Sequence, residues 1–321
     1  DLVSDEGHAL GTPNVWGVMT VDAERGWVYI PTGNPSPDYY RSGEPDMDFY
    51  GTSVVALDGA SGEVQWHFNT VINDFWDFDV GSQPTLADIQ LDGETVPVLI
   101  QGTKMGFVFV LNRVTGEPVV AVSYEPVPQE GPLAEQLSPV QPFPPAAFRL
   151  SPEVSVDDAW GLTPIDEGAC REQLESFRTG PLYTPITEDW TIVAPSNIGG
   201  INWGGVAIDP IRGRIYARSN NVPYVVRLIP RESFKGREGF EWEIEVAEQR
   251  GVPFAMARQV LLSDLGLPCN KPPWGYLTAV DIAEETQLWQ VAHGTVRDIA
   301  PVPIPLALGV PGLGAPIVTS T

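Results

Sequence analysis

The clearest hydrophobic–polar pattern in this chain is a short apolar run, an Asp-led turn and a second strand ending in tryptophan. It is written in 54-VVALDGASGEVQW-66 and again in 278-TAVDIAEETQLWQ-290, where Asp58 to Trp66 and Asp281 to Trp289 are both eight residues apart. The stretch 108-VFVLNRVTGEPVV-120 is a degenerate copy, with Asn112 in place of the aspartate and no tryptophan. A second pattern, 20-TVDAERGWVYIPTGN-34, is echoed by 207-AIDPIRGRIYARSNN-221. Each of these reads as strand, Asp-x-x-Arg-Gly turn, strand with tyrosine. One copy alone would be an ordinary hairpin. Two kinds of copy in the same order predict radial repetition, an all-β chain built as a β-propeller.

The spacing of the copies is uneven. Asp58 to Asn112 is 54 residues, whereas Asn112 to Asp281 is 169. The excess falls in two insertions, 121–195 and 230–275, within a single incomplete propeller domain over residues 1–321. The first is Pro-rich and reads as an excursion over the surface, with one short helix near 167–178. Loops this long are usually functional or covering elements. Each insertion holds one of the two cysteines, Cys170 and Cys269, which are either paired as a staple or two separate thiols.

Composition supports strands over helices: 32 glycines and 32 prolines are too much punctuation for a helical bundle. The net charge of −24 removes nucleic acid from the partners, because phosphate binding needs a basic footprint. With no CxxC or CxxCH and only three histidines, neither a structural zinc nor an attached haem is expected. No run of 18 apolar residues occurs. Both ends are expected to continue in a longer protein, since GLGAPIVTST reads as the start of a strand.

Candidate chemistry sits in four places. The run 72-INDFWDFDV-80 sets Asp74, Asp77 and Asp79 among aromatics, a mixture of groups that resist and favour burial. Asn34 follows a strand and precedes two prolines in 31-PTGNPSP-37. Trp16 lies eighteen residues before it, and Lys104, 27 residues after Asp77, is the only lysine before residue 235. Singly these read as a turn asparagine, a core tryptophan and a solvated cation. An ammonium facing a carboxylate would favour the charged form of each.

Together, the order GTPNVW, TGNPSPD, SVVALD, NDFWDFD and GTKMGFVFVLNRVTGEP strongly resembles the pyrroloquinoline quinone (PQQ)-dependent dehydrogenases, and within them the membrane-associated glucose, polyol and quinate group. GGINWGGVAIDP, VPYVVRLIPRE, LGLPCNKPPWGY and GTVRDIAP continue the likeness along the chain. The resemblance implies an eight-bladed propeller, of which about three to four blades are present, with PQQ and Ca2+ (or Mg2+) on its axis. It implies Asp77 as catalytic base, Lys104 as the cation at the quinone oxygens, Trp16 as the stacking indole, Asn34 as a metal ligand and Asn220 as a further PQQ contact. Asp74 and Asp79 are assigned structural hydrogen bonds. The expected substrate is a small alcohol, sugar, polyol or cyclic hydroxy acid. The expected acceptor is a membrane quinone, and the expected location is periplasmic, at the membrane. The rival readings are a non-catalytic propeller scaffold and a soluble quinoprotein alcohol dehydrogenase. Two departures stand out: Ile72 and Asn73 precede Asp74 where the family often has histidines, and Glu285 replaces the turn glycine of the third copy.

Overall fold

Five chain reversals are fixed by an acid or amide that binds its own backbone. In the computed structural model Asp58 Oδ1 accepts from the Ala60 and Ser61 N–H groups, Asn112 Oδ1 from Val114 and Thr115, and Asp281 Oδ1 from Glu284. Asp22 and Asp209 do the same in the Arg-Gly turns and also pair with Arg25 and Arg212. The structure describes residues 3–4, 7–8, 11, 13–41, 48–297 and 305–319. Thr12 of GTPNVW and residues 298–301 of GTVRDIAP lie outside the described residues.

Those turns generate antiparallel meanders. The first sheet runs Thr20–Asp22, Trp27–Pro31, Ser53–Asp58 and Val64–Asn69. The second has Thr85–Leu91, Glu94–Gly102 and Val108–Asn112, with a bridge from Leu111 to Pro118 beyond its edge. The third is Val206–Asp209, Arg214–Asn220, Gly275–Asp281 and Thr286–Ala292. These are three blades of a partial, unclosed propeller. Ser53–Ala56 are buried without alternation, as expected for a strand covered on both faces by neighbouring layers.

Adjacent blades are clamped through Arg113. Trp66 at the end of the first blade donates its indole N–H to the Arg113 carbonyl at 3.1 Å, and Tyr29 donates its hydroxyl there at 2.9 Å. The Arg113 guanidinium spans the joint, binding Asp22 at 3.0 Å and Asp88 at 2.8 Å. The Trp66 ring lies over Gly116, where an added Cβ would stand 2.7 Å from the indole. Trp289, the equivalent in the third blade, is 40% exposed and touches Tyr216. Glu285, in place of glycine, takes φ +48°.

The third blade is interrupted between Asn220 and Gly275 by a fourth sheet, ordered Thr191–Val193, Tyr224–Pro230, Phe254–Val260, Glu245–Ala247. Its first strand comes from the Pro-rich stretch, so the two insertions meet in one sheet. The Pro-rich segment is not a surface excursion: Leu133, Leu137, Phe143, Tyr183 and Ile186 are buried in the same core as Trp66, Trp76 and Phe109. The helix runs Pro164–Ser176, capped by Thr163 accepting from the Asp166 N–H, with proline at its first turn. Cys170 on this helix is disulfide-bonded to Cys269.

Candidate active site

The run that carries the acids is a tight bend leaving the first blade. Asp74, fully buried, makes that bend: its carboxylate accepts from Trp76 N–H (2.9 Å), Phe78 N–H (2.8 Å) and the Thr52 hydroxyl (2.9 Å). Two residues of the bend, Asn73 and Asp77, are forced to φ +52° and +60°. Non-glycine residues reach that region at an energetic cost and persist only where the surroundings hold them. Burial pushes the Asp74 carboxyl up to about 7 against the pull of the Trp76 N–H.

The strained backbone turns the Asp77 carboxylate between two cations. Lys104 Nζ donates to its Oδ1 at 2.9 Å and to its carbonyl at 3.0 Å, and Arg258 Nη1 donates to its Oδ2 at 2.9 Å. Lys104 also pairs with Asp79, whose other oxygen accepts the Trp16 indole N–H. Burial alone would lower the Lys104 ammonium, but Asp77 and Asp79 together raise it above its ordinary value. Burial lifts Asp79 to about 6, opposed by Lys104 and helped by Asp77. Two of the three ammonium donors of Lys104 go to Asp77, and its charge is shared with Asp79 through the ion pair.

Lys104 sits in the hairpin between Glu94–Gly102 and Val108–Asn112, and glycines press on it from behind. A Cβ on Gly199, at φ +83°, would lie 2.6 Å from Lys104, so only glycine fits there. Asn220 braces this contact, donating from its side chain to the Gly199 carbonyl and from its backbone to the Gly200 carbonyl. Its Oδ1 accepts from the Gly312 N–H, so both ends of its amide are used.

Trp16 is 38% exposed and tilts against the still more exposed Trp203, ring centres 6.0 Å apart. The Lys104 ammonium lies 5.6 Å from the Trp16 ring centre. Gly33 brings the main chain beside Asp79, where a Cβ would be 3.2 Å from the carboxylate. Asn34, the next residue, is buried and its Nδ2 has no partner. Trp76 stacks near Phe78, with Tyr183 edge-on to both, forming an apolar wall behind the bend.

The structure thus brings Asp77, Lys104 and Trp16 together, sets Asn34 next in the chain to Gly33, which lies against Asp79 and Trp16, and puts Asn220 behind Lys104. Asp74 holds the bend, as expected. Asp79, expected to be only structural, is an ion-pair partner of Lys104. Arg258 and Tyr39, whose hydroxyl accepts from Arg258 at 2.9 Å, had no sequence signal.

Comparison with known proteins identifies the family. Residues 2–321 match the PQQ family model described as "Glucose/ethanol/alcohol dehydrogenase, beta-propeller domain". The chain is 38% identical to the quinoprotein glucose dehydrogenase of Escherichia coli K12 over 99% of its length and 42% of that protein's. It is 35% identical to the quinate/shikimate dehydrogenase (quinone) of Acinetobacter baylyi over 99% of its length and 41% of the relative's. The chain therefore spans about two fifths of the curated relatives it matches. The crystal structure of the quinohemoprotein alcohol dehydrogenase of Comamonas testosteroni superposes with a TM-score of 0.54 at 25% identity, over 88% of this chain and 35% of that one. A chain that repeats the propeller hairpins and matches the family model from residue 2 to residue 321 belongs to the PQQ glucose/ethanol/alcohol dehydrogenase family, as part of its β-propeller domain.

Proposed function

We propose that this chain is part of a PQQ- and Ca2+-dependent dehydrogenase that oxidises an alcohol group of a sugar, polyol or cyclic hydroxy acid. In this reading it works in the periplasm at the membrane, with a membrane quinone as electron acceptor. The observation that carries it is the Asp77 carboxylate, held at φ +60° between Lys104 and Arg258 beside a half-exposed indole. A flat, carboxylate-bearing quinone needs an open aromatic face and a cation next to it, and Trp16 with Lys104 offers both. PQQ therefore fits these residues.

The metal fits less fully. Among the described residues no three His, Cys, Asp or Glu side chains converge. Asn34 would have to offer its amide oxygen, whereas the buried atom it leaves unpartnered is Nδ2, a hydrogen-bond donor and no cation ligand. That amide oxygen is this chain's one contribution in our reading, and the metal enters none of the steps below.

When bound, PQQ supplies an electrophilic quinone carbonyl as a two-electron acceptor. Asp77 takes the hydroxyl proton of the substrate: each of its oxygens accepts one hydrogen bond from a cation and keeps a second acceptor position. Lys104 would be the cation beside the quinone oxygens of bound PQQ, where it would stabilise the negative charge that develops. Asp79 holds the Trp16 ring through its indole N–H. The wall of Trp76, Phe78 and Tyr183 keeps water from the acid side of the bend. Asp77→Asn in the intact protein is expected to keep PQQ binding, read by absorbance titration, while turnover falls roughly 10²–10⁴-fold. Turnover at the wild-type rate overturns the proposal.

A further inference from the structure

On the Arg258 side of Asp77 lies a cavity of about 490 Å3. That is within the size range of small-ligand sites. Apart from Gly11, its walls come from two segments far apart in the chain: Ser36–Tyr39, beyond the first blade's second strand, and Glu245, residues 247–250, Met256 and Arg258 of the inserted sheet. The segments are locked together. The Tyr39 N–H donates to Gln249 Oε1 at 3.0 Å, and Arg258 Nη1 donates to the Tyr39 hydroxyl at 2.9 Å. The same Nη1 reaches Asp77, which therefore stands one hydrogen bond behind the cavity wall.

The charges of the lining are unevenly matched. Asp38, Glu245 and Glu248 face Arg250 and Arg258, three carboxylates against two guanidiniums. Both cations are already used: Arg258 forks onto Glu245 at 2.8 and 2.9 Å, and Arg250 pairs with Glu248 at 3.1 Å. Asp38 makes no ion pair among the described residues. Burial, and then repulsion by Asp77, pushes its carboxyl up to about 6, which puts the cavity and Asp77 in one electrostatic neighbourhood. A molecule rich in hydroxyls finds acceptors here in the carboxylates and in the Tyr39 hydroxyl. A molecule with a carboxylate finds like charge and no unused cation, a repulsive element of the kind that sets specificity.

We propose that this cavity receives the part of the substrate remote from the reacting carbon, and that its acidic lining restricts the substrate to uncharged polyols and sugars. The inference rests on the dehydrogenase reading above and narrows its substrate class. Arg258 is then a positioning residue, fixing one oxygen of Asp77 while forming the wall that the substrate passes.

The test uses the intact protein loaded with PQQ and Ca2+, with glucose and quinate as paired probes. The wild type should show the higher kcat/KM for glucose. Asp38→Asn combined with Glu248→Gln should raise the quinate-to-glucose ratio at least about ten-fold, mainly through KM, the size expected for removing like charge within ~10 Å at an effective dielectric near 20. Glu248→Gln alone, at a more exposed position, should move the ratio the same way by a smaller factor and guards against misfolding of the double variant. A second readout needs no turnover: glucose should bind the PQQ-free protein in a calorimetric titration, and quinate more weakly. A wild-type preference for quinate, or a ratio unmoved in both variants, overturns the inference. Either result leaves the dehydrogenase reading standing if Asp77→Asn is inactive, whereas an active Asp77→Asn removes the reading itself.

Discussion

The Trp66–Gly116 contact is a joint between blades, and a matched pair of substitutions measures it. Gly62 and Gly116 occupy the same place in the same turn of successive blades, at φ +75° and +77°. Alanine at either must enter the left-handed region, which costs roughly 1–2 kcal/mol for an L-residue. The surroundings differ. A Cβ on Gly62 meets nothing within 4 Å, whereas on Gly116 it stands 2.7 Å from two ring carbons of Trp66. That ring is nearly buried and fixed by its hydrogen bond to Arg113, so it has little room to yield. Overpacking of this kind costs about 1–3 kcal/mol more. Gly116→Ala should therefore destabilise the 321-residue chain by about 2–5 kcal/mol and Gly62→Ala by about 1–2 kcal/mol. Urea denaturation with the disulfide intact, followed by tryptophan fluorescence, gives both numbers. Adding Trp66→Phe to Gly116→Ala should cost less than the sum of the single changes, because the smaller ring relieves the clash, with a coupling of about 1–3 kcal/mol. Equal losses at the two glycines, or strict additivity with Trp66→Phe, would refute the docking argument.

Other consequences are simpler to state. Glu285→Gly relieves the φ of +48° in the third copy of the turn, and differential scanning calorimetry should find it neutral or up to about 1 kcal/mol stabilising. The Cys170–Cys269 bond closes a separation of 99 residues, so Cys170→Ser with Cys269→Ser should cost about 2–5 kcal/mol in urea titrations and loosen the Pro164–Ser176 helix first in hydrogen exchange. For Asp74 the folded carboxyl is raised to about 7 from 3.8. The folded chain then binds a proton that the unfolded chain releases, so its stabilising share is complete below pH ~4 and lost as pH rises through ~7. A Tm–pH profile of Asp74→Asn should lack that descending component between the two values, and a profile parallel to wild type would contradict the assignment.

What the sequence disclosed follows the reach of each interaction. The turns were legible because Asp58, Asn112 and Asp281 bind backbone groups two or three residues on, and such chemistry repeats in register with the chain. Asp77 and Lys104 were legible as a pair because 27 residues span one bend and one hairpin, a distance that meander topology keeps close. The cysteines stayed open because spacing alone does not say whether two Cα atoms can approach to 5.1 Å. Proline content marked 121–195 as irregular but said nothing of depth; Leu133, Phe143 and Tyr183 carry that segment into the core through ordinary apolar burial.

Arg258 is the case where local reasoning has no purchase. It lies 181 residues from Asp77, and the strand that carries it pairs with Glu245–Ala247 on one edge and, out of sequence order, with Tyr224–Pro230 on the other. Its geometry depends on three partners from three segments: Glu245 across the strand, Tyr39 after the first blade and Asp77 in the bend. Removing any one partner leaves a mostly buried guanidinium with fewer acceptors, so the three contacts are coupled and none can be inferred from another's position in the chain. An inserted sheet can therefore bring a residue against a bend of the propeller without leaving any trace in the propeller's own repeats.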